Sequence, residues 1–189
     1  MKAYTDSVAK NFNILREKMS PESFERCRAL AAKYRSEATK YRSAMEVKVK
    51  AYTDGACRVS NPGQTSCAWV IFQEDDNGPK YEGSRYLGPE LHTNNYAEYQ
   101  GLLDLLKYAA KHKIMGLEIY CDSKLVVNQV NDVWDVNSQE LMPLCVLAYA
   151  LRIRGGHTLQ HIHGHSGDPG NEYVDHLCNE ALDKEGIGK

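Results

Sequence analysis

Several features common in other classes of protein are missing from this chain. No stretch of 18 consecutive apolar residues occurs, and the first twenty residues lack an apolar centre, which argues against a membrane-spanning helix and a secretory signal. The six cysteines include no C-x-x-C pair, so reduced thiols are expected rather than a disulfide framework or a zinc site. We therefore expect a soluble, cytoplasmic protein that does not contact a membrane.

A strong net charge is also missing, because the formal charge at pH 7 is only −2. The charges are nevertheless unevenly distributed. Residues 1–46 contain ten Lys or Arg and six Asp or Glu, a net charge of +4, while the remainder contains 13 basic and 19 acidic residues, a net charge of −6. A length of 189 residues suits one domain of about 150 residues with an appendage. We place the boundary between an N-terminal extension, residues 1–45, and a main domain, residues 46–189.

The extension has the apolar spacing of two helices. Ser20 and Pro21 form a helix start, with the serine as N-cap and the proline at the first helical position. The second helix carries a narrow a/d stripe rich in Ala and Tyr. Such a stripe could pack on the main domain, on the first helix or on a second copy of the chain, and the pattern does not choose among these.

From Val47 onward the pattern becomes that of a sheet with helices. The stretch 47–57 contains a β-forming run that ends in the acid Asp54, and two further runs follow at 66–73 and 81–87. Turn sequences separate the three runs and predict two successive hairpins. The predicted elements that follow are a helix at 93–112, a strand at 117–121, helices at 123–131 and 138–152, a strand at 158–162 and a helix at 169–184. This order indicates an α/β fold, with a mixed sheet flanked by helices.

Four acids fall where a soluble domain seldom places them. Asp54 and Asp122 end predicted strands, whereas Glu98 and Asp175 lie on the inner faces of predicted helices. Carboxylates brought together repel one another, and only cations make such a cluster favourable. Oxygen ligands without cysteine or histidine favour Mg²⁺ or Mn²⁺ over zinc. Two such ions about 4 Å apart are the usual means of hydrolysing a phosphodiester.

The motifs around these acids resemble those of the type 1 ribonuclease H family. In the family's order within residues 47–183, they are T-D-G-A at 53–56, T-N-N-Y-A-E at 93–98, Y-C-D-S at 120–123, G-H-S-G at 164–167, and Asn171, Glu172 and Asp175. The resemblance implies a mixed five-stranded sheet and hydrolysis of the RNA strand of an RNA/DNA hybrid with two Mg²⁺ or Mn²⁺ ions. It implies that Asp54 bridges both ions, that Glu98 and Asp122 complete the leaving-group ion, and that Asp175 holds the ion that carries the attacking water.

The resemblance implies roles for other residues as well. His165 matches a family histidine that assists proton transfer or product departure. Short amides can read the 2′-hydroxyls that distinguish RNA from DNA. The residues expected to contact the hybrid in its minor groove are Asn94, Asn95, Cys57 and Asn61. Lys124 stands where many members carry glutamine, and a lysine can hold a phosphate.

The chain departs from many family members in the residues available for binding nucleic acid. Many bacterial members insert a basic helix and loop after the helix that follows the third acid, but no basic residue occurs from Gln129 to Ser138. The chain is thus a variant without this basic protrusion. The +4 extension is the expected substitute if it binds nucleic acid, and self-association is the alternative.

Two alternative functions stay open. His161, His163 and His165 alternate and would share one face if the predicted strand continued that far, which is typical of a zinc-dependent metallo-hydrolase. This alternative leaves the four acids unexplained. The other alternative is a catalytically inactive family member that serves as a nucleic-acid-binding module, and the presence of all four acids argues against it.

Overall fold

The computed structural model describes residues 49–72, 78–164 and 166–188. In chain order, the elements are β1 (Lys50–Arg58), β2 (Gln64–Phe72), β3 (Pro79–Tyr86), α1 (Asn94–His112), β4 (Glu118–Cys121), α2 (Lys124–Val130), α3 (Leu141–Gly155), β5 (Thr158–His161) and α4 (Pro169–Lys184). Among these elements, no helix combines the length and the apolar character that crossing a membrane requires. The predicted N-terminal helices, residues 1–45, lie outside the described residues.

The strands form one mixed five-stranded sheet in the order β3-β2-β1-β4-β5. Strands β1, β2 and β3 pair antiparallel, which the short connections between them permit. Strand β4 pairs parallel with β1, and β5 pairs parallel with β4. Parallel neighbours need a long crossover connection, and helices are part of both crossovers. The predicted mixed sheet is confirmed, with β1 at its centre.

Helices cover both faces of this sheet. Successive residues of β1 point to opposite faces, so Ala51 joins the larger core cluster and Tyr52 joins the smaller one. The larger cluster lies between the sheet and α1, α2 and α3. The smaller cluster lies under α4, where Val174 and Cys178 pack against the sheet. β1 is therefore buried from both sides.

Helix α1 lies directly against β1. Its start is capped by Thr93, whose hydroxyl accepts a hydrogen bond from the backbone N–H of Tyr96 at 3.2 Å. A Cβ atom on Gly55 would overlap the backbone of Ala97 and Glu98, so the first turns of α1 touch the strand backbone. This contact brings the acid carried by α1 next to the acid that precedes Gly55.

Three boundaries differ from the predicted ones. Helix α3 begins at Leu141 rather than at residue 138, because the Ser138 hydroxyl accepts from the N–H of Leu141 at 3.3 Å and stands ahead of the helix. Strand β1 continues beyond Asp54 because its pairing with β2 extends to Arg58. Strand β5 ends at His161, so His163 is not part of it.

Buried His157 should make folding sensitive to acid. Its Nδ1 accepts the N–H of Leu117 at 3.0 Å, and burial together with the charge of Arg152 lowers its pKa to about 4. The unfolded histidine binds its proton near pH 6.5. The stabilising contribution of neutral His157 is therefore complete above about pH 6.5 and is lost as the pH falls toward about 4. The full loss is about 3 kcal/mol.

Urea unfolding of the parent and of His157→Asn, at about pH 7.5 and about pH 4.5, measures this loss. The asparagine keeps an oxygen that can accept the N–H of Leu117 but does not titrate. We expect His157→Asn to lose about 2 kcal/mol less than the parent between the two pH values. His176→Asn is the matched control because His176 is exposed on α4. Equal acid losses in parent and His157→Asn would contradict the prediction.

Candidate active site

Two of the predicted acids stand side by side at the carboxyl end of the parallel strands. The parallel pairing of β1 and β4 ends where Thr53 pairs with Cys121. The residues that follow these two, Asp54 and Asp122, therefore lie next to each other. Asp54 lies inside β1 rather than at its end, because pairing with β4 stops while pairing with β2 continues. Its side chain is buried, and Oδ1 accepts the N–H of Gly55 at 2.7 Å. Asp122 is half-buried.

Glu98 reaches the same region from α1. It is only 8% exposed, and its Oε1 accepts a hydrogen bond from the side-chain amide of Asn94 at 2.9 Å. Its Oε2 is buried without a hydrogen-bond partner. A buried carboxylate oxygen without a partner costs free energy. This oxygen is therefore available to an added cation.

Asp175 approaches from α4, on the opposite face of the sheet. It is half-buried, and its Oδ1 accepts the side-chain amide of Asn179 at 3.0 Å. The carboxylates of Asp122, Asp175 and Glu98 all act electrostatically on Asp54. The structure thus brings all four predicted acids into one region.

The clustered acids change one another's protonation. Burial and then the carboxylates of Asp122, Asp175 and Glu98 raise the pKa of Asp54 well above its ordinary value, against a smaller opposing effect of the Gly55 N–H. Burial, with a smaller contribution from Asp122, raises the pKa of Glu98 to about 7 against an opposing effect of the Ser123 hydroxyl. Within the described ranges, no three Asp, Glu, His or Cys side chains yet stand close enough to hold one ion. Repulsion between carboxylates favours such separation until a cation offsets it.

Three of the predicted hybrid contacts gather at the start of α1. The Asn61 Oδ1 accepts the backbone N–H of Asn94 at 3.1 Å, which ties the loop after β1 to the helix. The thiol of Cys57 donates to the carbonyl oxygen of Ser60 at 3.0 Å, and the sulfur also lies 3.6 Å from the carbonyl oxygen of His92. Because the amide of Asn94 also holds Glu98, this group is continuous with the acids.

The two other predicted contacts lie beside this group in the chain. Asn95 follows Asn94 in the first turn of α1 and is half-buried. Lys124 is exposed at the first position of α2, directly after Ser123, which caps that helix. Lys124 is close to Asp122 along the chain. In the described structure, however, no hydrogen bond or ion pair joins the Lys124 side chain to the acids or to the asparagines.

The histidine that ends β5 lies beside Asp122. The Nε2 of His161 is 3.1 Å from the backbone oxygen of Asp122, and the ring of His163 packs edge-on against His161. A Cβ atom on Gly164 would come within 2.8 Å of the Asp122 Oδ2, so this loop borders the acids. His165 lies outside the described residues, and its role stays a prediction. Because β5 ends at His161, the strand does not align the histidines on one face.

Comparison with known proteins decides the family. The family model for RNase H matches residues 46–183. The chain belongs to the RNase H family. Its match begins at the predicted start of the main domain, and the resemblance noted from the four acidic motifs is confirmed.

The relatives of this RNase H domain include proteins longer than the matched region. Ribonuclease HI of Halobacterium salinarum is 38% identical over 136 residues, which cover 72% of this chain and 65% of that protein. The bifunctional protein Rv2228c of Mycobacterium tuberculosis is 34% identical over 139 residues, which cover 72% of this chain and 36% of that protein. The chain therefore spans less than two thirds of the length of these relatives.

A solved relative confirms the fold. The crystal structure of LC11-RNase H1 in complex with an RNA/DNA hybrid superposes with a TM-score of 0.63 at 30% sequence identity. The superposition covers 73% of this chain and 99% of LC11-RNase H1. The mixed sheet with its flanking helices is therefore the RNase H fold, as the motifs implied.

The RNase H family depends on divalent metal ions, and the residues of this chain fit such an ion. The Oε2 of Glu98 has no partner although it is buried. The converging side chains are carboxylates, whose oxygens are the ligands that Mg²⁺ and Mn²⁺ prefer. A bound cation would also remove the repulsion that raises the pKa of Asp54.

The sequence interpretation missed two residues that are linked by hydrogen bonds to the acids of this candidate site. Asn179 bonds Asp175, and Arg58 bonds Asn179. The spacing of Asn179, four residues after Asp175 in a predicted helix, was a usable signal because such residues face each other. No signal pointed to Arg58, since its partner is 121 residues away in the chain.

Glu98→Gln should stabilise the metal-free protein at alkaline pH. The pKa of Glu98 rises from 4.5 to about 7 on folding, so the folded state keeps a proton that the unfolded state has released. The associated stability is fully present below about pH 4.5 and is lost as the pH rises through about 7. This loss is about 3 kcal/mol. Glutamine does not ionise, so Glu98→Gln does not undergo this loss of stability.

Urea unfolding in the presence of a chelator, at about pH 5 and about pH 8, measures this difference. We expect Glu98→Gln to exceed the parent in stability by about 2 kcal/mol or more at the higher pH and to be close to it at the lower pH. Glu180→Gln is the control, because its carboxylate pairs with Lys184 on the surface of α4. A Glu98→Gln protein that gained nothing at about pH 8 would refute the buried-acid argument.

Proposed function

We propose that the protein is an endoribonuclease that hydrolyses the RNA strand of RNA/DNA hybrids, with two Mg²⁺ or Mn²⁺ ions held by its four acids. The proposal is carried by the convergence of carboxylates on one region from β1, from the residue after β4, from α1 and from α4, where the other three act on Asp54. The family membership and the hybrid bound to LC11-RNase H1 support the substrate class.

Each acid has a separate role in this proposal. Asp54, at the centre, would bind both ions. Glu98 and Asp122 would complete the site of the ion at the leaving group, and Asp175 would complete the site of the ion that carries the attacking water. When bound, the ions supply an activated water and stabilise the leaving oxygen. The chain brings these carboxylates near one another beforehand, because the register of β1 and β4 sets Asp54 beside Asp122 and the amide of Asn94 orients Glu98.

The group at the start of α1 is proposed to contact the hybrid. Asn94 is bonded to Glu98 and to Asn61, and Asn95 follows it in the first turn of α1. Amides and backbone groups of this kind can read the 2′-hydroxyls of an RNA strand. Cys57 supports the same group through the carbonyl oxygen of His92. Lys124, exposed at the start of α2, is proposed to hold a phosphate of the hybrid.

The extension, residues 1–45, is proposed to supply basic side chains for binding nucleic acid, because the main domain lacks the basic protrusion. The connection between α2 and α3 contains no basic residue, and Val133 and Trp134 are exposed there instead. Removal of residues 1–45 is then expected to weaken hybrid binding and flatten its salt dependence. A halved mass with an unchanged salt dependence would make the extension an oligomerisation element.

Incubation with labelled substrates tests the main proposal. The substrates are an RNA/DNA hybrid, duplex RNA and duplex DNA, each with Mg²⁺, Mn²⁺ or Zn²⁺. We expect internal cleavage of the RNA strand, in the hybrid only, with Mg²⁺ or Mn²⁺. Zinc-dependent hydrolysis of another substrate would favour the metallo-hydrolase. Hybrid binding without cleavage under any condition would favour the inactive binding module.

A further inference from the structure

A chain of hydrogen bonds links Asp175 to a buried arginine at the end of β1. Asn179 lies one turn after Asp175 in α4, and its Nδ2 donates to the Asp175 Oδ1 at 3.0 Å. The same nitrogen donates to the Asp175 backbone oxygen at 2.9 Å. The Oδ1 of Asn179 accepts from the Nη2 of Arg58 at 2.8 Å. Arg58 and Asn179 thus reach Asp175 without belonging to the four acids.

The guanidinium of Arg58 is held from several directions. Arg58 is 8% exposed. Its Nη1 donates to the Asp183 carboxylate and to the carbonyl oxygen of Ile187, and its Nη2 also donates to the carbonyl oxygen of Asn179 at 3.2 Å. These partners come from the C-terminal half of α4 and from the residues that follow it. Arg58 therefore occupies one position, and its donors point in set directions.

This arrangement decides which end of the Asn179 amide faces the acid. A guanidinium only donates hydrogen bonds, so it can bond the oxygen of the amide but not its nitrogen. With the oxygen of Asn179 turned toward Arg58, the nitrogen is left for Asp175. An asparagine bonded to the acid alone could rotate away in water. Arg58 removes this freedom because rotation would break its bond to the amide oxygen.

We propose that Asn179, oriented by Arg58, is a positioning residue that sets the Asp175 carboxylate for ion binding. The amide holds Oδ1 and fixes the plane of the carboxylate, which leaves Oδ2 for a cation. Partners that orient a metal-binding carboxylate commonly change metal affinity or activity by about 10- to 100-fold. This inference rests on the proposed role of Asp175 as an ion ligand. The competing explanation is that the bonds merely fasten α4 to β1.

Mn²⁺ binding to the full chain, without hybrid, separates these explanations. Free Mn²⁺ is measured by electron paramagnetic resonance for the parent, Asn179→Ala and Asp175→Asn. We expect Asn179→Ala to weaken Mn²⁺ binding by about 10- to 100-fold and Asp175→Asn to weaken it at least as much. Glu180→Ala is the control, because Glu180 is the next residue of α4 and its carboxylate pairs with Lys184 on the surface of the helix.

The Mn²⁺ concentration that gives half-maximal hybrid cleavage should rise by the same factor in Asn179→Ala. Unfolding in a chelator should show some loss of stability in Asn179→Ala, because the Nη2 of buried Arg58 keeps only the backbone oxygen of residue 179 as an acceptor. A purely structural role predicts this loss alone, with unchanged Mn²⁺ affinity, and that result would overturn the proposal. Unchanged Mn²⁺ affinity in Asp175→Asn would overturn it too, because Asp175 would then not be a ligand.

Arg58→Met tests the other half of the inference. Introduced into the parent, Arg58→Met is expected to weaken Mn²⁺ binding. Introduced into Asn179→Ala, it is expected to weaken Mn²⁺ binding no further, because Arg58 acts on the ion only through the Asn179 amide. Equal weakening in both backgrounds would remove Arg58 from the proposal. If Arg58→Met does not fold, Asn179→Ala decides by itself. A parent protein that binds Mn²⁺ but cleaves no hybrid would contradict the proposed function. The Mn²⁺ affinities of the parent and Asn179→Ala would still decide this inference.

Discussion

Asp54→Asn is expected to lower the rate of hybrid cleavage by more than about a thousandfold, because the central carboxylate carries the charge that both ions require. The same substitution is expected to stabilise the metal-free protein. Asn has nearly the shape of Asp, and its oxygen can keep the hydrogen bond from Gly55. It removes a buried charge that Asp122, Asp175 and Glu98 repel.

Single-turnover cleavage and urea unfolding in a chelator measure the two effects of Asp54→Asn. Asp104→Asn is the matched control, since the half-buried Asp104 pairs with Arg85 of β3 and lies outside the proposed site. We expect the control to cleave at close to the parental rate. Reduced stability of metal-free Asp54→Asn, or cleavage within tenfold of the parent, would show that Asp54 is not the centre of a repelling cluster.

Gly55→Ala is expected to destabilise the protein by about 3 kcal/mol or more, at the upper end of the cost of overpacking. Its Cβ would overlap the backbone nitrogen of Glu98 and the backbone carbonyl carbon of Ala97, and it would come within 2.8 Å of the Ala97 Cβ. Backbone atoms cannot turn aside as a flexible side chain can. Helix α1 would therefore have to move off β1, which opens the larger core and withdraws Glu98 from Asp54.

Urea unfolding of Gly55→Ala and Gly78→Ala measures this cost. Gly78 is the matched control because a Cβ there would meet no atom of the described residues within 4 Å, so its substitution should change stability by less than about 1 kcal/mol. In any folded Gly55→Ala protein, hybrid cleavage should fall because Glu98 is displaced. If the two variants unfolded at the same urea concentration, the close contact between α1 and β1 would not be a constraint.

Short-range patterns account for the elements that the sequence predicted well. Helix α1 starts where Thr93 accepts the N–H of Tyr96, and α2 starts where Ser123 accepts the N–H of Val126. Helix α4 begins at Pro169, directly after Asp168, which accepts the N–H groups of Gly170 and Asn171. These bonds join residues two or three apart. Local sequence therefore contains the information that places them.

Boundaries that depend on a distant partner were predicted less well. Strand β1 continues past Asp54 because β2 supplies partners as far as Arg58, and nothing in the alternation of β1 reports the length of β2. Strand β5 ends at His161, where its pairing with Cys121 of β4 ends. The alternating histidines continue the period of a strand, but the partner strand is no longer there.

The sequence by itself determined the family, the order of the elements and the four acids, because motifs and periodicity are properties of neighbouring residues. Only the tertiary structure decided how these acids meet. The register of β1 and β4 sets Asp54 beside Asp122, and burial leaves the Glu98 Oε2 without a partner. The bond between Arg58 and Asn179 joins residues 121 apart in the chain. Burial, partners and shifted pKa values depend on neighbours in space, which the folded chain alone brings together.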